Sequence, residues 1–308
     1  MNLYAHKDAN IRKTWFLLAG FFAIVIGFGW ILDVYYGNPA ILVIAVVLSL
    51  ATSVMSYWYS DKVALGMASA QPIARKQAPE LYDIVENLSI TAGLPAPKIY
   101  LINDAAPNAF ATGRNPEHAA IAVTTGLMAR LNRTELEGVI AHELSHIGNW
   151  DMLVSTIVVV LVGIISIAGN FFMRSMWLAP SLSSGGGTRR NDDRERGGNA
   201  LFAILAIAGA ILLPIAATVI QLAISRKREF LADASGALLT RYPEGLARAL
   251  EKISADPHAM TSASPSTAHL WFESPFKADT GRHNEVPWHV KLFMTHPPVA
   301  ERIKALRG

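Results

Sequence analysis

The sequence contains no cysteine and little charge. Among its 308 residues there is no cysteine, and Asp, Glu, Lys and Arg together make up 17%, against about 25% in an ordinary soluble domain. Without a thiol the chain forms no disulfide and no iron–sulfur cluster, and it has no cysteine nucleophile. Any metal site in this protein must therefore be built from His, Asp and Glu.

Apolar residues are abundant instead. They make up 52% of the chain, and the mean hydropathy is +0.30. This composition excludes an intrinsically disordered chain and a coiled-coil rod, and it is typical of a membrane protein with a substantial soluble part. The net charge of +3 is attributed to Lys and Arg beside membrane spans, so no nucleic-acid partner is predicted.

Four apolar runs predict four transmembrane helices. They comprise residues 15–32, 40–59, 152–173 and 200–224. A helix needs about 20 residues to cross a bilayer core of about 30 Å, and each run is close to that length or longer. The first run is followed by Asp33-Val34-Tyr35-Tyr36, which offers no small-residue cleavage site, so we predict a retained helix rather than a signal peptide.

These runs divide the chain into two membrane hairpins and one split soluble domain. The predicted segments are an amino-terminal hairpin at 1–59, the first half of a catalytic domain at 60–150, a second hairpin at 151–224 with a flexible loop at 174–199, and the second half of the domain at 225–308. Together the two soluble halves are long enough for one compact domain.

The distribution of Lys and Arg predicts the orientation in the membrane. Lys7, Arg12 and Lys13 precede the first run and Lys62 follows the second, whereas the turn between them has neither residue. The positive-inside rule therefore places the amino terminus and the catalytic domain of this multi-pass protein in the cytoplasm. The arginines of the 174–199 loop oppose a simple scheme, which leaves two alternatives, a full second crossing or a hairpin that stays on the inner side.

Patterns in the soluble segments predict an α+β domain. Leu81 to Leu88 follow helical spacing up to a stop at Gly93, and residues 98–102 and 119–124 are predicted as strands. Residues 132–149 are predicted as a helix that begins with a capping box, formed either by Asn132 with Glu135 or by Thr134 with Glu137. The predicted fold class is an α-helical membrane protein with an α+β soluble domain.

The predicted helix at 132–149 carries the motif His142-Glu143-Leu144-Ser145-His146, which fits H-E-x-x-H. Residues four apart lie one turn apart on the same helix face, so both imidazoles can reach one metal ion. The Glu143 carboxylate lies beside them and can accept a proton from the attacking water. The pattern predicts a catalytic zinc site; the alternative is two surface histidines on an ordinary helix.

A catalytic zinc site uses three protein ligands and leaves a fourth position open. Candidates for the third ligand are Glu229, Asp233, Asp151, His118, His269 and His296. Glu229 and Asp233 share a helix face, so Glu229 can coordinate the ion while Asp233 accepts a hydrogen bond from a ligand histidine. Two apolar runs separate this pair from the histidines, which keeps all of them on one side of the membrane. The alternative is a solvated charge pair at a membrane interface.

The motifs together resemble those of the HtpX-type integral-membrane zinc metallopeptidases, more distantly related to the CAAX prenyl proteases. The resemblance covers nearly the whole chain: both hairpins, the H-E-x-x-H helix, Asn108-Ala109-Phe110-Ala111-Thr112-Gly113, Ser225-Arg226-Lys227-Arg228-Glu229-Phe230-Leu231-Ala232-Asp233 and Thr295-His296-Pro297-Pro298. It implies a zincin-like domain of the gluzincin type, with one Zn²⁺ per chain held by His142, His146 and Glu229. It also implies that Glu143 is the base and that Asp233 supports a ligand.

The same resemblance implies a biological setting. It implies quality control in a bacterial inner membrane, often linked to stress, with unfolded or membrane polypeptides as substrates and the lipid bilayer as surroundings. The sequence carries no signal for an oligomeric state. The rival hypothesis is a membrane adaptor or chaperone with a structural metal site, which would normally have a fourth protein ligand. A transporter is disfavoured because the apolar runs hold almost no charge.

Asn108 and His296 are two further catalytic candidates. Residues 108–113, with the strand at 119–124, are predicted to form the edge of the cleft, where an extended peptide adds by backbone hydrogen bonds; the alternative is a loop and an interior strand. His296 precedes Pro297 at a predicted helix start, and the resemblance implies that it stabilises the oxyanion. The alternative is a capping or surface histidine.

Overall fold

The computed structural model describes residues 3–165, 226–264, 266–276 and 297–308. Over these residues the chain is mostly helical and contains one four-stranded sheet. The predicted loop at 174–199, the fourth apolar run at 200–224 and His296 lie outside the described residues.

The first two apolar runs form the long helices α1 (Leu3–Tyr36) and α2 (Ala40–Met67). Both are long and apolar enough to cross a membrane, α1 over Lys7–Val34 and α2 over its whole length. Large apolar side chains such as Val43 and Ile44 stay exposed on α2. A surface of this kind is expected to face lipid.

The third apolar run is helix α6 (Asp151–Ile165) as far as it is described. It follows α5 (Arg133–Gly148) at a bend of 84°, and the two helices reach spanning length only when taken together. The described residues therefore hold two spanning helices, or three if the bent pair is one span. Two of the four predicted spans are thus matched in length and composition, and the prediction of four is not confirmed over the described residues.

Helix α6 packs along α1. Leu18 and Phe21 of α1 form a buried cluster with Ile157, Val158 and Leu161 of α6. Because α6 directly follows the helix that carries the H-E-x-x-H motif, this cluster fixes the first membrane helix beside that motif.

The sheet has a mixed topology that leaves one strand at the edge nearest the motif. Its strands are β1 (Gln71–Pro72), β2 (Lys98–Ile102), β3 (Ala109–Gly113) and β4 (Ala119–Thr124), in the order β1-β2-β4-β3. β4 pairs parallel with β2 and antiparallel with β3. The segment at 109–113 is therefore a strand and forms the edge, whereas the predicted strand at 119–124 is interior.

Of the remaining α-helices, those at 79–92, 226–240 and 243–255 pack against α5. The remaining α-helices are α3 (Pro79–Ala92), α4 (Thr125–Arg130), α7 (Arg226–Thr240), α8 (Pro243–Ala255) and α9 (Val299–Arg307). The predicted capping box of α5 is present, since Asn132 and Glu135 exchange side-chain and backbone hydrogen bonds. The predicted stop of α3 is also present, with Gly93 at φ 67°. Helix α9 begins at Val299, two residues later than predicted from Pro297.

Helix α5 lies in the core of the soluble part. Val139 and Ile140 of α5 pack in one buried cluster with Leu81 of α3, Ile121 of β4 and Leu250 of α8. Segments that precede residue 166 and follow residue 225 therefore contribute to the same core. This burial holds α5 rigidly and sets the direction of its histidines.

Candidate metal centre

Two histidines and one glutamate converge between α5 and α7. His142 and His146 lie one turn apart, and their Nε2 atoms are 3.1 Å from each other. Glu229 of α7 places its carboxylate oxygens 3.8 Å from His142 Nε2 and 3.6 Å from His146 Nε2. One ligand atom from each of the three residues lies within 4.8 Å of the other two.

A glycine permits the close approach of the two helices. A Cβ atom on Gly236 of α7 would lie only 3.0 Å from the backbone nitrogen of His142. Any larger side chain at this position would push α7, and Glu229 with it, away from α5. The sequence thus uses a small residue two turns after Glu229 to bring the ligands together.

The donor set fits a zinc ion. Two Zn–N bonds of about 2.05 Å at a tetrahedral angle separate their nitrogens by about 3.3 Å, close to the 3.1 Å between the two Nε2 atoms. On the opposite side of each ring, Nδ1 of His142 lies 2.9 Å from Asp233 Oδ1 and Nδ1 of His146 lies 3.1 Å from Asp151 Oδ2. Since a carboxylate only accepts, each Nδ1 is protonated, and Nε2 is the nitrogen of each ring that faces the common point.

Burial and these carboxylates set the charges of the metal-free site. Burial lowers the pKa of His142 to about 4, although the hydrogen bond to Asp233 acts in the opposite direction. Burial also acts to lower the pKa of His146, but the hydrogen bond to Asp151 and the charge of Glu229 outweigh it and raise the pKa to about 9. One proton thus remains on His146, and a metal ion has to displace it.

Glu143 is buried beside the three candidate ligands. Its side chain is 2% exposed, and burial raises the pKa of its carboxyl to about 7, although nearby His146 acts to lower it. The backbone N–H of Ala111, on the edge strand β3, donates a hydrogen bond to this carboxylate. A carboxylate with this pKa is suited to accept and return a proton near neutral pH.

Sequence reasoning missed Arg302, which supports the site from α9. The guanidinium donates to both oxygens of Asp233 at 2.8 and 2.7 Å and to the carbonyl of Phe272 at 3.1 Å, and its side chain is fully buried. Burial acts to raise the pKa of Asp233, but the hydrogen bonds from Arg302 and His142 lower it to about 2. Asp233 therefore stays ionised and holds the His142 ring.

Asp151, a candidate third ligand, instead contacts the outer nitrogen of His146. Its other oxygen accepts hydrogen bonds from Asn10 of α1 at 2.8 Å and Arg228 of α7 at 3.3 Å. Sequence reasoning missed Asn10, since no local pattern relates a residue on the first membrane helix to one 141 positions later.

A small cavity adjoins the ligands. It is lined by Ala111, His142, Glu143, His146, Asp151, Met152, Ser155, Arg228, Glu229, His269, Leu270, Trp271 and Phe272. Its space of about 40 Å³ accommodates an ion and a water molecule or two. Trp271 and Phe272 close one side, and the N–H of Phe272 donates to the carbonyl of Ala109 on β3 at 2.8 Å. The chain's own segment thus occupies part of the edge predicted to receive a peptide.

The structure places the remaining candidates elsewhere. Asn108 is buried, and its carboxamide donates to the carbonyl of Glu273 at 2.8 Å and accepts from the N–H of Glu273 at 3.1 Å. Asn108 is not among the residues that line the cavity, so its contacts hold the covering segment in place. His118 is exposed and pairs with Asn115. His269 lines the cavity, with Nε2 2.9 Å from the carbonyl oxygen of Ser155.

Comparisons with known proteins identify a family. Residues 75–308 match the description Peptidase family M48. A Protease HtpX homolog of Syntrophobacter fumaroxidans is 47% identical over 96% of this chain and 98% of its own length. A relative of the same name from Streptococcus gordonii is 42% identical over 99% of this chain and 99% of its own length. Another from Pyrococcus furiosus is 43% identical over 96% of this chain and 94% of its own length. A crystal structure of S. mikatae Ste24p matches with a TM-score of 0.47 at 18% identity, over 99% of this chain and 67% of that chain.

Proposed function

The chain belongs to peptidase family M48 and is a metalloprotease of the membrane, and we propose that it is a zinc-dependent endopeptidase with His142, His146 and Glu229 as ligands. The convergence of these three donors beside the buried carboxylate of Glu143 carries the proposal. One Zn²⁺ per chain satisfies this donor set and leaves one position open.

Each site residue has a distinct role. Zinc supplies, when bound, a Lewis acid that polarises the scissile carbonyl and acidifies the attacking water. Glu143 accepts the proton of that water and passes it to the leaving amine. Asp233 and Asp151 accept hydrogen bonds from Nδ1–H of the two histidines, which keeps that proton on Nδ1 and leaves Nε2 to coordinate. Arg302 keeps Asp233 ionised.

The substrate is proposed to be an extended polypeptide. Ala111 contacts Glu143 from the edge strand β3, so a peptide that adds to this edge brings its carbonyl to the site. The cavity is too small for a peptide, and Trp271 and Phe272 close it. The segment 270–272 is therefore expected to move aside on binding. Unfolded polypeptides and membrane proteins can supply such a strand, which supports the proposed role in quality control.

The proposed setting is a bacterial inner membrane with the soluble part in the cytoplasm. The two described spanning helices and the Lys and Arg beside them support this orientation. The third and fourth apolar runs are proposed as a second membrane hairpin. Glu229 follows that hairpin in the chain and lies beside the two histidines that precede it. The chain must therefore cross the membrane an even number of times between them.

The rival hypothesis of an adaptor or chaperone requires a structural metal site closed by a fourth protein ligand. Among the described residues the candidate ligand group contains three, and Asp151 and Asp233 face the outer nitrogens instead. The geometry therefore favours the peptidase.

Replacement of the base tests the proposal. Glu143→Gln preserves the shape of the side chain but cannot accept a proton, so we expect normal zinc content and at least ~10²-fold lower cleavage of an unfolded protein. The variant is to be purified with the membrane segments intact, with zinc content and cleavage measured on the same preparation. Near-normal turnover would show that another group is the base.

A further inference from the structure

Asn10 joins the first membrane helix to the candidate metal centre. It lies near the start of the membrane-crossing part of α1 and is 6% exposed. Its carboxamide nitrogen donates to Asp151 Oδ1 at 2.8 Å and to the backbone carbonyl of Asn149 at 3.0 Å. Both acceptors lie at the bend between α5 and α6. A buried carboxamide with two strong acceptors is held in one orientation.

Asp151 contacts both Asn10 and the proposed metal ligand His146. One of its oxygens accepts from Asn10, while the other accepts from Nδ1 of His146 at 3.1 Å. The direction of the carboxylate therefore depends on both partners. Because the ring of His146 follows the carboxylate, a rotation of Asp151 would also turn Nε2 away from the common ligand point.

Arg228 adds a contact from α7, the helix that carries the proposed third ligand. Its Nη1 atom lies 3.3 Å from the carboxamide oxygen of Asn10 and 3.3 Å from Asp151 Oδ1. Arg228 immediately precedes Glu229 on α7. Asn10 thus contacts residues next to two of the proposed ligands, one on each side of the second apolar hairpin.

We propose that Asn10 is a positioning residue for the metal centre, acting through Asp151 on His146 and through Arg228 on the start of α7. By this arrangement the first membrane helix helps to orient the metal ligands, in addition to anchoring the protein. The inference rests on the proposed zinc site. It predicts that metal affinity depends on the carboxamide of Asn10 even when the fold is unchanged.

Zinc affinity of the full-length, metal-free protein in detergent tests the inference, measured by competition with a chelator of known affinity. Asn10→Ala removes the carboxamide and should weaken zinc binding by about 10-fold, the lower end of the range for residues that orient a ligand. Thr14→Ala is the matched control, since Thr14 is buried one turn further along α1 and its hydroxyl has no hydrogen-bond partner among the described residues. The control should bind zinc as the parent does.

A double-mutant cycle separates positioning from a general loss of stability. Asp151→Ala removes the carboxylate and should weaken zinc binding, and adding Asn10→Ala to it should change the affinity by less than Asn10→Ala does in the parent, because only the path through Arg228 then remains. Thermal unfolding of each metal-free variant reports the fold independently. If Asn10→Ala lowers the unfolding temperature but leaves zinc affinity unchanged, or if the two effects simply add, the positioning role is overturned.

A third variant, His146→Ala, separates failure of the Asn10 role from failure of the proposed zinc site on which that role rests. His146→Ala should abolish tight zinc binding if the site is correct. Loss of zinc in His146→Ala with unchanged affinity in Asn10→Ala would overturn only the role of Asn10. Unchanged zinc binding in His146→Ala would overturn the ligand set itself.

Discussion

Glu143 combines burial with proximity to several charges. Its carboxyl is almost inaccessible to solvent, and burial raises its pKa to about 7 in the metal-free protein, with His146 nearby acting to lower it. A bound cation favours the ionised form, so the pKa in the zinc-loaded enzyme lies at or below this value. The residue is therefore poised to change its protonation state near neutral pH.

This pKa predicts the acid side of the pH profile. Glu143 acts as base only when ionised, so kcat/KM should fall as the pH decreases through a value at or below about 7. The measurement is kcat/KM for a peptide between pH 5 and 9, with zinc content checked at each pH because protonation of His146 also releases metal. Activity that rises steadily as the pH falls below 7 would contradict the role of Glu143.

The structure brings the predicted site residues together where the signal is local. Spacing on one helix relates the histidine pair and Glu143, whereas spacing on another gives Glu229 and Asp233 only a shared helix face, and the family resemblance was needed to propose their roles. Asp151 was considered only as a ligand, because nothing in its sequence position shows that it faces Nδ1 of His146. Asn10 and Arg302 act across more than 60 residues of chain, and long-range hydrogen bonds of this kind leave no periodic signal.

The carboxy-terminal helix α9 contacts the candidate metal centre through one buried side chain, Arg302. Arg302 donates two hydrogen bonds to Asp233 and stacks on Phe272, with its guanidinium carbon 4.8 Å from the ring centre. Asp233 in turn holds His142. A helix distant in sequence from the H-E-x-x-H motif thus contributes to its geometry.

Removal of this guanidinium should be costly. Arg302→Met leaves the charge of Asp233 buried without its main partner, which should lower the free energy of unfolding by about 3–5 kcal/mol. The matched control is Arg307→Met on the same helix, where the exposed ion pairs with Glu244 and Glu251 are expected to contribute no measurable stability. Denaturant unfolding of the metal-free proteins in detergent measures both. Equal stability of Arg302→Met and the parent would show that the buried Arg302–Asp233 pair does not stabilise the fold.

Element-level prediction worked for the helices and only partly for the sheet. The capping box of α5 and the glycine stop of α3 are local signals, and both are present. The segment 109–113 lacks the alternation of an exposed strand, because all five of its residues are buried. Its position at the edge of the sheet depends on the parallel pairing of β2 with β4, which only the tertiary structure reveals.

At the scale of the whole molecule, the membrane helices and the soluble part form one structure. The buried cluster between α1 and α6 and the hydrogen bonds of Asn10 connect the first hairpin to the metal centre. The core around α5 joins segments that precede and follow the proposed second hairpin. This arrangement requires both soluble segments to lie on the same side of the membrane.

Single-cysteine labelling tests that topology, because the chain has no native cysteine. Cysteines introduced at Ala70 and Ser262 should react with an impermeant reagent only after the membrane is opened. A cysteine at Ser184 distinguishes a full second crossing, in which it reacts from outside, from a hairpin that stays on the inner side. If the cysteine at position 262 is labelled from outside while the one at position 70 is protected, the two soluble segments lie on opposite sides of the bilayer. That result would contradict the proposed topology.

We propose that one zinc ion, held by three residues from both soluble segments, is required for proteolysis. The direct measurement is the zinc-to-protein ratio of the purified full-length protein and of Glu229→Ala, with cleavage of an unfolded protein followed on the same samples. We expect one zinc per chain in the parent, cleavage that a chelator abolishes and added Zn²⁺ restores, and loss of both zinc and cleavage in Glu229→Ala. Full cleavage by zinc-free protein, or unchanged zinc content in Glu229→Ala, would contradict the account.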